Sequence, residues 1–449
     1  MNRRDFIKTS ASVGLSAVSA VSIPTAILGM SELSEDSKPA ILGGTPFPYN
    51  NGPSWPILQG EEKESILKVL ETGNWCRSGS SLNMNIQFEE QYAQLCGSKH
   101  CIATNSGTSA LVASLAALET GPGDEVITSP YTFIATVNCI LAHYALPVLA
   151  DVDIESFQLD ASRIESLITE NTKACIPVHI GGAPANLDAV FNVCDPKNIP
   201  VIEDACQAHF GEWNGKKLGS LGKTGCFSFQ VTKNLSCGDG GAILTNDDNL
   251  AEKLFACHNN GRGKVSSLDF RYGSFRASNL RMTEFQGAIL SAQLKNVEKN
   301  AKIRNDNGLY LSSLLKEIPG IYPAKIYDGG TSAWHLYMFR INPEEFGLSR
   351  DQLVAALNAE RITCYGGYGA MDWVGYVKNV YNTKAARRIY SEKFLEDWGE
   401  RIQLSQNIKL CSEAIWFMQN QLLAPKENMD VIASAIRRIQ KNTKAIASL

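Results

Sequence analysis

Hydrophobic and polar positions alternate in two different ways along the middle of the chain. Apolar runs of strand length cover residues 100–104, 125–128, 146–151, 174–179 and 200–204. Around and between them lie stretches with apolar residues at helical spacing, namely residues 58–72, 109–118, 132–144 and 186–194. Short strands that alternate with helices predict βαβ units and a parallel sheet. Because the strands are largely apolar, both faces of that sheet are expected to be covered.

The pattern changes after about residue 294. Long charged helices are predicted at residues 297–318, 351–360 and 428–441, around short strands such as residues 336–341. The chain therefore predicts an α/β fold with a mostly parallel sheet in a large domain, residues 57–296, and a smaller α+β domain, residues 297–449.

The first 56 residues have a different character. Arg3 and Arg4 precede 21 residues, 9–29, that carry no charge. A basic start followed by an apolar stretch is the layout of an export signal, and adjacent arginines resemble a twin-arginine signal. Frequent Ser, Thr and Gly residues argue against a stable membrane span. Residues 1–30 are predicted to be a signal for export to the periplasm, the alternative being the frayed terminus of a cytoplasmic protein; residues 31–56 are predicted to be a linker or arm.

Composition narrows the functional class. The chain has 449 residues, 44% of them hydrophobic, and a formal net charge of −4. This length suits two or three domains, and the apolar fraction excludes wholesale disorder. A net charge this close to zero gives no electrostatic sign of nucleic-acid binding. The twelve cysteines include no C-x-x-C pair, so a zinc site is disfavoured and no metal is expected.

Three segments place polar residues at the ends of predicted strands. The first, residues 105–111, opens a helix, and Gly107 and Thr108 suit an anion bound at the helix N-terminus; alone, it is more typical of an ordinary N-cap. The second, residues 201–207, contains Asp204 at the edge where open α/β sheets bind ligands. The third places Lys233 between an aromatic strand and a glycine-rich loop, where apolar neighbours can lower the pKa of a lysine. A cofactor with a phosphate, a ring nitrogen and an aldehyde requires all three segments, and pyridoxal 5'-phosphate is such a cofactor.

From about residue 55 to its end, the chain resembles the DegT family of pyridoxal-phosphate-dependent sugar aminotransferases. The stretches that carry the resemblance are residues 105–111, 123–127, 131–136, 201–207, 227–233, 279–284 and 335–337. The resemblance implies the aspartate-aminotransferase-like fold (fold type I) and a homodimer with shared active sites.

The resemblance also assigns roles to single residues. Lys233 is implied as the Schiff-base lysine and Asp204 as the partner of the pyridinium nitrogen. The other implied cofactor residues are Phe133 and Gln207 on the two ring faces, Gly107, Thr108 and Ser228 at the phosphate, and Asn279, which would reach the phosphate of the neighbouring subunit. Less firmly, the resemblance places three residues on the substrate side: Trp75, Arg77 and His335.

One branch of the family fits best. Residues 75–77 and 414–417 are similar to the branch that contains scyllo-inosose aminotransferases and 3-amino-5-hydroxybenzoate synthase. The chain departs from the family pattern at residues 186–188, at residues 238–241, and at residues 365–368, where Tyr-Gly-Gly-Tyr replaces the usual His-Tyr-Pro-Pro. The last departure lies on the substrate side, so it bears on the substrate rather than on the cofactor.

The implied activity is the transfer of an amino group from glutamate or glutamine to a keto sugar or keto-cyclitol. A sugar dehydratase of the same fold is disfavoured, because that branch lacks the lysine that Lys233 matches. The remaining alternative is an exported, non-catalytic binding or assembly protein that keeps the fold, and the predicted signal favours it. The expected partners are the small-molecule amino donor and keto acceptor and a second copy of the chain.

Overall fold

The structure is a computed structural model that describes residues 34–79, 81–263 and 276–449. The chain divides into two units, residues 1–34 and 35–449, and all described residues but Ser34 belong to the second. The export signal predicted for residues 1–30 lies outside the described residues. Within the described ranges, no helix combines the length and the apolar character needed to cross a bilayer.

Strands and helices alternate through the first two thirds of the described chain. The strands are β1 (His100–Thr104), β2 (Glu125–Thr128), β3 (Leu146–Leu149), β4 (Thr172–Ile176), β5 (Ile202–Asp204), β6 (Glu212–Trp213), β7 (Lys216–Lys217), β8 (Thr224–Ser228), β9 (Gly241–Thr245), β10 (Ile321–Pro323), β11 (Gly330–Thr331), β12 (Leu336–Ile341), β13 (Tyr365–Gly366) and β14 (Ala414–Met418). The α-helices are α1 (Glu61–Thr72), α2 (Met84–Cys96), α3 (Gly107–Ala117), α4 (Ala135–Leu141), α5 (Ile164–Leu167), α6 (Leu187–Cys194), α7 (Asp248–His258), α8 (Glu284–Gln293), α9 (Val297–Leu315), α10 (Pro343–Phe346), α11 (Arg350–Ala359), α12 (Trp373–Val380), α13 (Glu392–Glu400), α14 (Ser405–Glu413), α15 (Glu427–Lys441) and α16 (Thr443–Ile446).

The main sheet has the strand order β3-β2-β4-β5-β8-β9-β1. Strands β3, β2 and β4 are parallel neighbours, and β5 is parallel to β8. Two isolated parallel bridges, Cys175 to Val201 and Val178 to Asp204, connect β4 with the start and end of β5. Only β9 runs against its neighbours in this sheet, since it pairs antiparallel with both β8 and β1. The prediction of a mostly parallel sheet is confirmed.

Side chains cover both faces of the main sheet. On one face, Ile102 and Ile243 of the sheet belong to the same apolar cluster as Leu111 of α3 and Leu254 of α7. Another cluster joins Val148 of β3 to residues of the C-terminal third, among them Trp373 of α12 and Trp398 of α13. Buried on both sides, the strands need no polar face, which explains their nearly continuous apolar runs.

The C-terminal third forms a smaller antiparallel sheet with the order β10-β12-β14-β13. Helices α9 and α15 pack against each other beside it. The α+β character predicted for residues 297–449 agrees with these elements, while the exact boundary near residue 296 stays a prediction.

The segment predicted as a linker or arm is fixed to the C-terminal third. The backbone N–H groups of Ala40 and Phe47 donate to the Glu360 carboxylate, over 2.8 and 3.3 Å. Arg438, fully buried, pairs with Glu360 and lies over the Phe47 ring, 3.9 Å from its centroid. A buried ion pair needs further hydrogen bonds to offset its desolvation, and the arm supplies two of them.

Candidate active site

Most of the site residues predicted from the sequence meet at one edge of the main sheet. Strands β1, β5 and β8 run in the same direction, so their carboxyl ends lie together near the N-terminus of α3. A cavity of about 510 Å³ opens there, and the predicted residues that line it are Gly107, Thr108, Phe133, Asp204, Gln207, Ser228, Lys233 and His335. Open α/β sheets bind their ligands at this edge.

The N-terminus of α3 packs tightly against the end of β8. Ser106 caps the helix, since its side chain accepts from the backbone N–H of Ser109 over 3.1 Å. A Cβ atom on Gly107 would lie 2.7 Å from Ser228 Cβ and 2.8 Å from Cys206 Sγ, so only glycine fits there. Thr108, the next residue, is exposed in the cavity wall. The helix therefore presents its free N–H groups and the Thr108 hydroxyl to any anion in the cavity.

Asp204 is a buried carboxylate with two fixed hydrogen bonds. Its Oδ2 accepts from the Thr136 hydroxyl over 2.7 Å, and its Oδ1 accepts from the Cys206 backbone N–H over 3.2 Å. The Thr136 hydroxyl also contacts the Thr132 hydroxyl, 2.8 Å away. These contacts hold the carboxylate in one orientation and leave acceptor capacity for a group in the cavity.

Lys233 supplies the amine in the cavity. Burial lowers the pKa of Lys233 below its usual 10.5, although the nearby charge of Asp204 opposes the shift. Its Nζ lies 3.4 Å from Nε2 of His335. Burial and the charge of Lys233 bring the pKa of His335 well below its usual range, so the imidazole is neutral. The lowered pKa of Lys233 favours an uncharged amine, which is the nucleophilic form of a lysine.

Phe133 and Gln207 differ in how they are held. Phe133 lines the cavity with 57% of its surface exposed, which is unusual for a phenylalanine and leaves its ring open to a ligand. Gln207 is buried and fixed at both ends. Its Oε1 accepts from the Gly181 backbone N–H over 2.8 Å, and its Nε2 donates to the Tyr368 hydroxyl over 3.2 Å.

Three predicted site residues lie outside this cavity. Arg77 forms a bidentate ion pair with Glu89, at 2.6 and 2.7 Å, and is nearly buried there. Trp75 is half exposed and tilted against Phe285. Asn279 is exposed, and its backbone pairs with that of Asn259. Within one protomer, none of the three side chains reaches the cavity.

Sequence reasoning did not select three further residues of the cavity wall. Thr136, Tyr368 and Trp416 all line it. The sequence contained a signal for Thr136. Thr132 and Thr136 are four residues apart, the spacing at which side chains meet on a helix. Tyr368 lies within the departure from the family pattern at residues 365–368.

The cavity residues fit pyridoxal phosphate group by group. The helix start at Gly107, where only glycine fits, suits the phosphate, and the buried Asp204 carboxylate suits a protonated ring nitrogen. The Lys233 amine, whose pKa burial lowers, suits the aldehyde. The exposed Phe133 ring supplies a flat surface for a flat cofactor. This fold and these groups together define a pyridoxal-phosphate-dependent enzyme of fold type I.

Comparisons with known proteins agree with this class of enzyme. The sequence profile of the DegT/DnrJ/EryC1/StrS aminotransferase family matches residues 56–414. The chain is 31% identical to the L-glutamine:2-deoxy-scyllo-inosose aminotransferase of Streptoalloteichus tenebrarius over 422 residues, 90% of this chain and 97% of that one. It is 37% identical to the GDP-perosamine synthase of Caulobacter vibrioides over 305 residues, 68% and 80% of the two chains. The crystal structure of 3-amino-5-hydroxybenzoic acid synthase superposes with a TM-score of 0.75 at 28% identity, covering 89% and 99%.

The chain belongs to the DegT/DnrJ/EryC1/StrS aminotransferase family and is a pyridoxal-phosphate-dependent aminotransferase. The predicted family, fold type, cofactor and enzyme class are therefore confirmed. The alternative of a non-catalytic protein has no support among these relatives.

Proposed function

We propose that this aminotransferase moves an amino group from glutamine or glutamate to a keto sugar or keto-cyclitol. The observation that carries the proposal is the cavity itself, in which Lys233, Asp204 and the N-terminus of α3 face the same space. The named relatives support the substrate classes, since one is a glutamine-dependent inosose aminotransferase and another makes a nucleotide-linked amino sugar.

Lys233 and Asp204 carry the chemical roles. When bound, pyridoxal phosphate supplies an aldehyde and a ring that accepts an electron pair. Lys233 Nζ would hold the aldehyde and, when free of it, would act as the base that takes a proton from the donor's α-carbon. Asp204, oriented by Thr136, would keep the ring nitrogen protonated through a charge-assisted hydrogen bond.

The other cavity residues position the reactants. Gly107, Thr108 and Ser228 line the cavity at the start of α3 and would hold the phosphate there. Phe133 and Gln207, both in the cavity lining, would pack on the two faces of the ring, and His335, close to Lys233, would lie on the substrate side. The contact between His335 Nε2 and the Lys233 amine, over 3.4 Å, helps to keep Nζ in place.

The active enzyme is proposed to be a homodimer with shared sites. Asn279 would complete the phosphate site of the partner subunit, with Trp75 and Arg77 near the partner's substrate. The support is that Asn279 is exposed and lies away from its own cavity. The test mixes Lys233→Ala with Asn279→Ala subunits. If the sites are shared, each mixed dimer contains one intact site and activity returns. No recovery of activity, together with a monomer by light scattering, would contradict the dimer.

Export by the twin-arginine route is a separate proposal. It rests on Arg3 and Arg4 before an uncharged stretch, and that route would carry a folded protein with its cofactor already bound. Fractionation of the host should show the wild-type chain in the periplasm and an Arg3→Lys, Arg4→Lys variant in the cytoplasm. A wild-type chain that stays cytoplasmic with residues 1–30 attached would refute the proposal.

The donor half-reaction tests the proposed activity directly. Purified enzyme is mixed with glutamine, glutamate or alanine, and the visible spectrum of the cofactor is followed. Glutamine or glutamate should convert the spectrum, and adding a keto-cyclitol or keto sugar should restore it. Lys233→Ala should show neither change, while Lys223→Ala, which alters only a surface ion pair with Asp247, should behave as wild type. A coloured wild-type enzyme whose spectrum no donor changes would contradict the proposal.

A further inference from the structure

One part of the cavity wall is aromatic and apolar. It consists of four residues from the C-terminal third: Leu336, Tyr368, Trp416 and Met418. The Tyr368 ring packs edge-on against Trp416, with centroids 5.0 Å apart, and against Tyr131, 5.3 Å apart. The backbone beside it is fixed as well, because β13 pairs with β14 and the Gly367 N–H donates to the Ala414 carbonyl over 2.7 Å. The wall is therefore preformed.

Gln207 determines what the Tyr368 hydroxyl can do. The Gly181 backbone N–H can only donate, so the Gln207 atom that it contacts is the carbonyl oxygen, and the other end of that amide is an NH₂ group. That NH₂ group donates to Tyr368 Oη over 3.2 Å. Among the described residues, no acceptor receives the hydrogen of this Tyr368 hydroxyl. Because Tyr368 lines the cavity, its O–H is available to a ligand there.

The charges of the cavity limit which ligand fits beside this wall. The charged residues that line it are Lys233, Asp204 and Asp239. Bound cofactor would engage Lys233 and Asp204, and no arginine or second lysine is among the described lining residues. Within one protomer, a diphosphate would find no cation on the aromatic wall. Arg77, proposed near the partner's substrate, already pairs with the Glu89 carboxylate. An uncharged polyol ring instead has C–H faces that pack on aromatic rings and hydroxyls that need hydrogen-bond partners.

We propose that Tyr368 and Trp416 form the acceptor subsite of this enzyme and that it takes an uncharged, polyhydroxylated ring ketone. Trp416 packs on a face of that ring, and Tyr368 Oη donates a hydrogen bond to one of its oxygens. Tyr368 is thus a specificity-determining residue. The inference rests on the proposed function and narrows its acceptor to the cyclitol type, with no nucleotide diphosphate on this wall.

The test measures binding of scyllo-inositol, a polyol ring that lacks the reactive ketone, to the holoenzyme by calorimetry. Tyr368→Phe removes one hydroxyl and keeps the ring, so it should weaken binding about tenfold. Trp416→Leu should weaken it further. Tyr365→Phe is the matched control, because Tyr365 lies in the same short segment as Tyr368 but is half exposed and outside the cavity lining, and this variant should bind as wild type.

Two results would overturn the subsite. One is wild-type affinity for scyllo-inositol in Tyr368→Phe and Trp416→Leu variants that keep the wild-type cofactor spectrum and melting temperature. The other is a wild-type enzyme that ignores scyllo-inositol and binds a nucleotide-linked keto sugar. Failure of the proposed function would look different, since the wild-type enzyme would then react with no amino donor while polyol binding would still report on Tyr368.

Discussion

The tight fit of Gly107 at the start of α3 makes a quantitative prediction. In Gly107→Ala the added methyl group would lie 2.7 Å from Ser228 Cβ and 2.8 Å from Cys206 Sγ, closer than such atoms normally approach. Gly107 does not have a positive φ, so the alanine adds a steric conflict and no backbone strain. Overpacking of this kind costs about 1–3 kcal/mol.

Relief of the conflict must displace α3 from β8, and these two elements carry the proposed phosphate contacts. If the whole cost falls on the cofactor complex, the dissociation constant of pyridoxal phosphate rises about 5- to 150-fold. The assay is titration of apoenzyme with cofactor, followed by visible absorbance. Gly121→Ala is the control, because no atom lies within 4 Å of its added Cβ and its φ is not positive.

A second variant tests the cause. Adding Cys206→Ala to Gly107→Ala removes one of the two clashing atoms, so part of the lost affinity should return. Unchanged cofactor affinity in Gly107→Ala would refute the reasoning, since α3 would then either tolerate the methyl group or have no part in binding the phosphate.

Three further predictions concern Asp204 and Lys233. Thr136→Val removes a hydrogen bond to a buried carboxylate and should cost about 1.5–3 kcal/mol, seen as weaker cofactor binding and a lower apoenzyme melting temperature, whereas Thr136→Ser should resemble wild type. Asp204→Asn should retain weak cofactor binding and lose most activity, because a neutral amide cannot stabilise a protonated ring nitrogen as a carboxylate does; near-normal turnover would make Asp204 structural. Burial lowers the pKa of Lys233 in the folded apoenzyme. At a pH between that lowered pKa and 10.5, the unfolded chain therefore binds a proton at Lys233 that the folded chain lacks. As the pH rises through this window, the wild-type apoenzyme should gain stability relative to Lys233→Met. Thermal unfolding at pH 7 to 10 measures that difference, and parallel curves would contradict it.

Local pattern was enough to predict most of the main sheet. Strands β1 and β2 of the main sheet have the predicted bounds, because a strand buried on both faces leaves an uninterrupted apolar run in the sequence. Strand β12 of the smaller sheet also has the predicted bounds. Helix ends were less accurate. The helix predicted for residues 132–144 is α4, Ala135–Leu141, and Tyr144 beyond its end has a positive φ of 57°.

Contacts between distant segments could not be predicted in this way. The Thr136 hydroxyl reaches Asp204 across 68 residues, and Gln207 reaches Tyr368 across 161. No local pattern records such pairings, since they depend on how the elements pack. For the same reason the ion pair of Arg77 with Glu89 was missed, although it explains why Arg77 does not reach the cavity of its own protomer.

The family resemblance and the local sequence pattern predicted different parts of the site. The end of β5 and the start of α3 were predicted from strand ends and a helix opening alone. The residues proposed to pack on the two faces of the cofactor ring, by contrast, were predicted only from the family pattern. The structure places Phe133 and Gln207 in the cavity wall but shows no contact of either with a cofactor. Their roles, like that of Asn279, stay predictions.

Identification of the lysine that carries the cofactor tests the central claim most directly. Borohydride reduction of the holoenzyme fixes the bond between pyridoxal phosphate and its lysine, and peptide mapping by mass spectrometry then locates it. The account predicts a single modified residue, Lys233, and no modification in the Lys233→Ala variant. Modification of any other lysine in the wild-type enzyme, or a purified protein that takes up no cofactor, would contradict it.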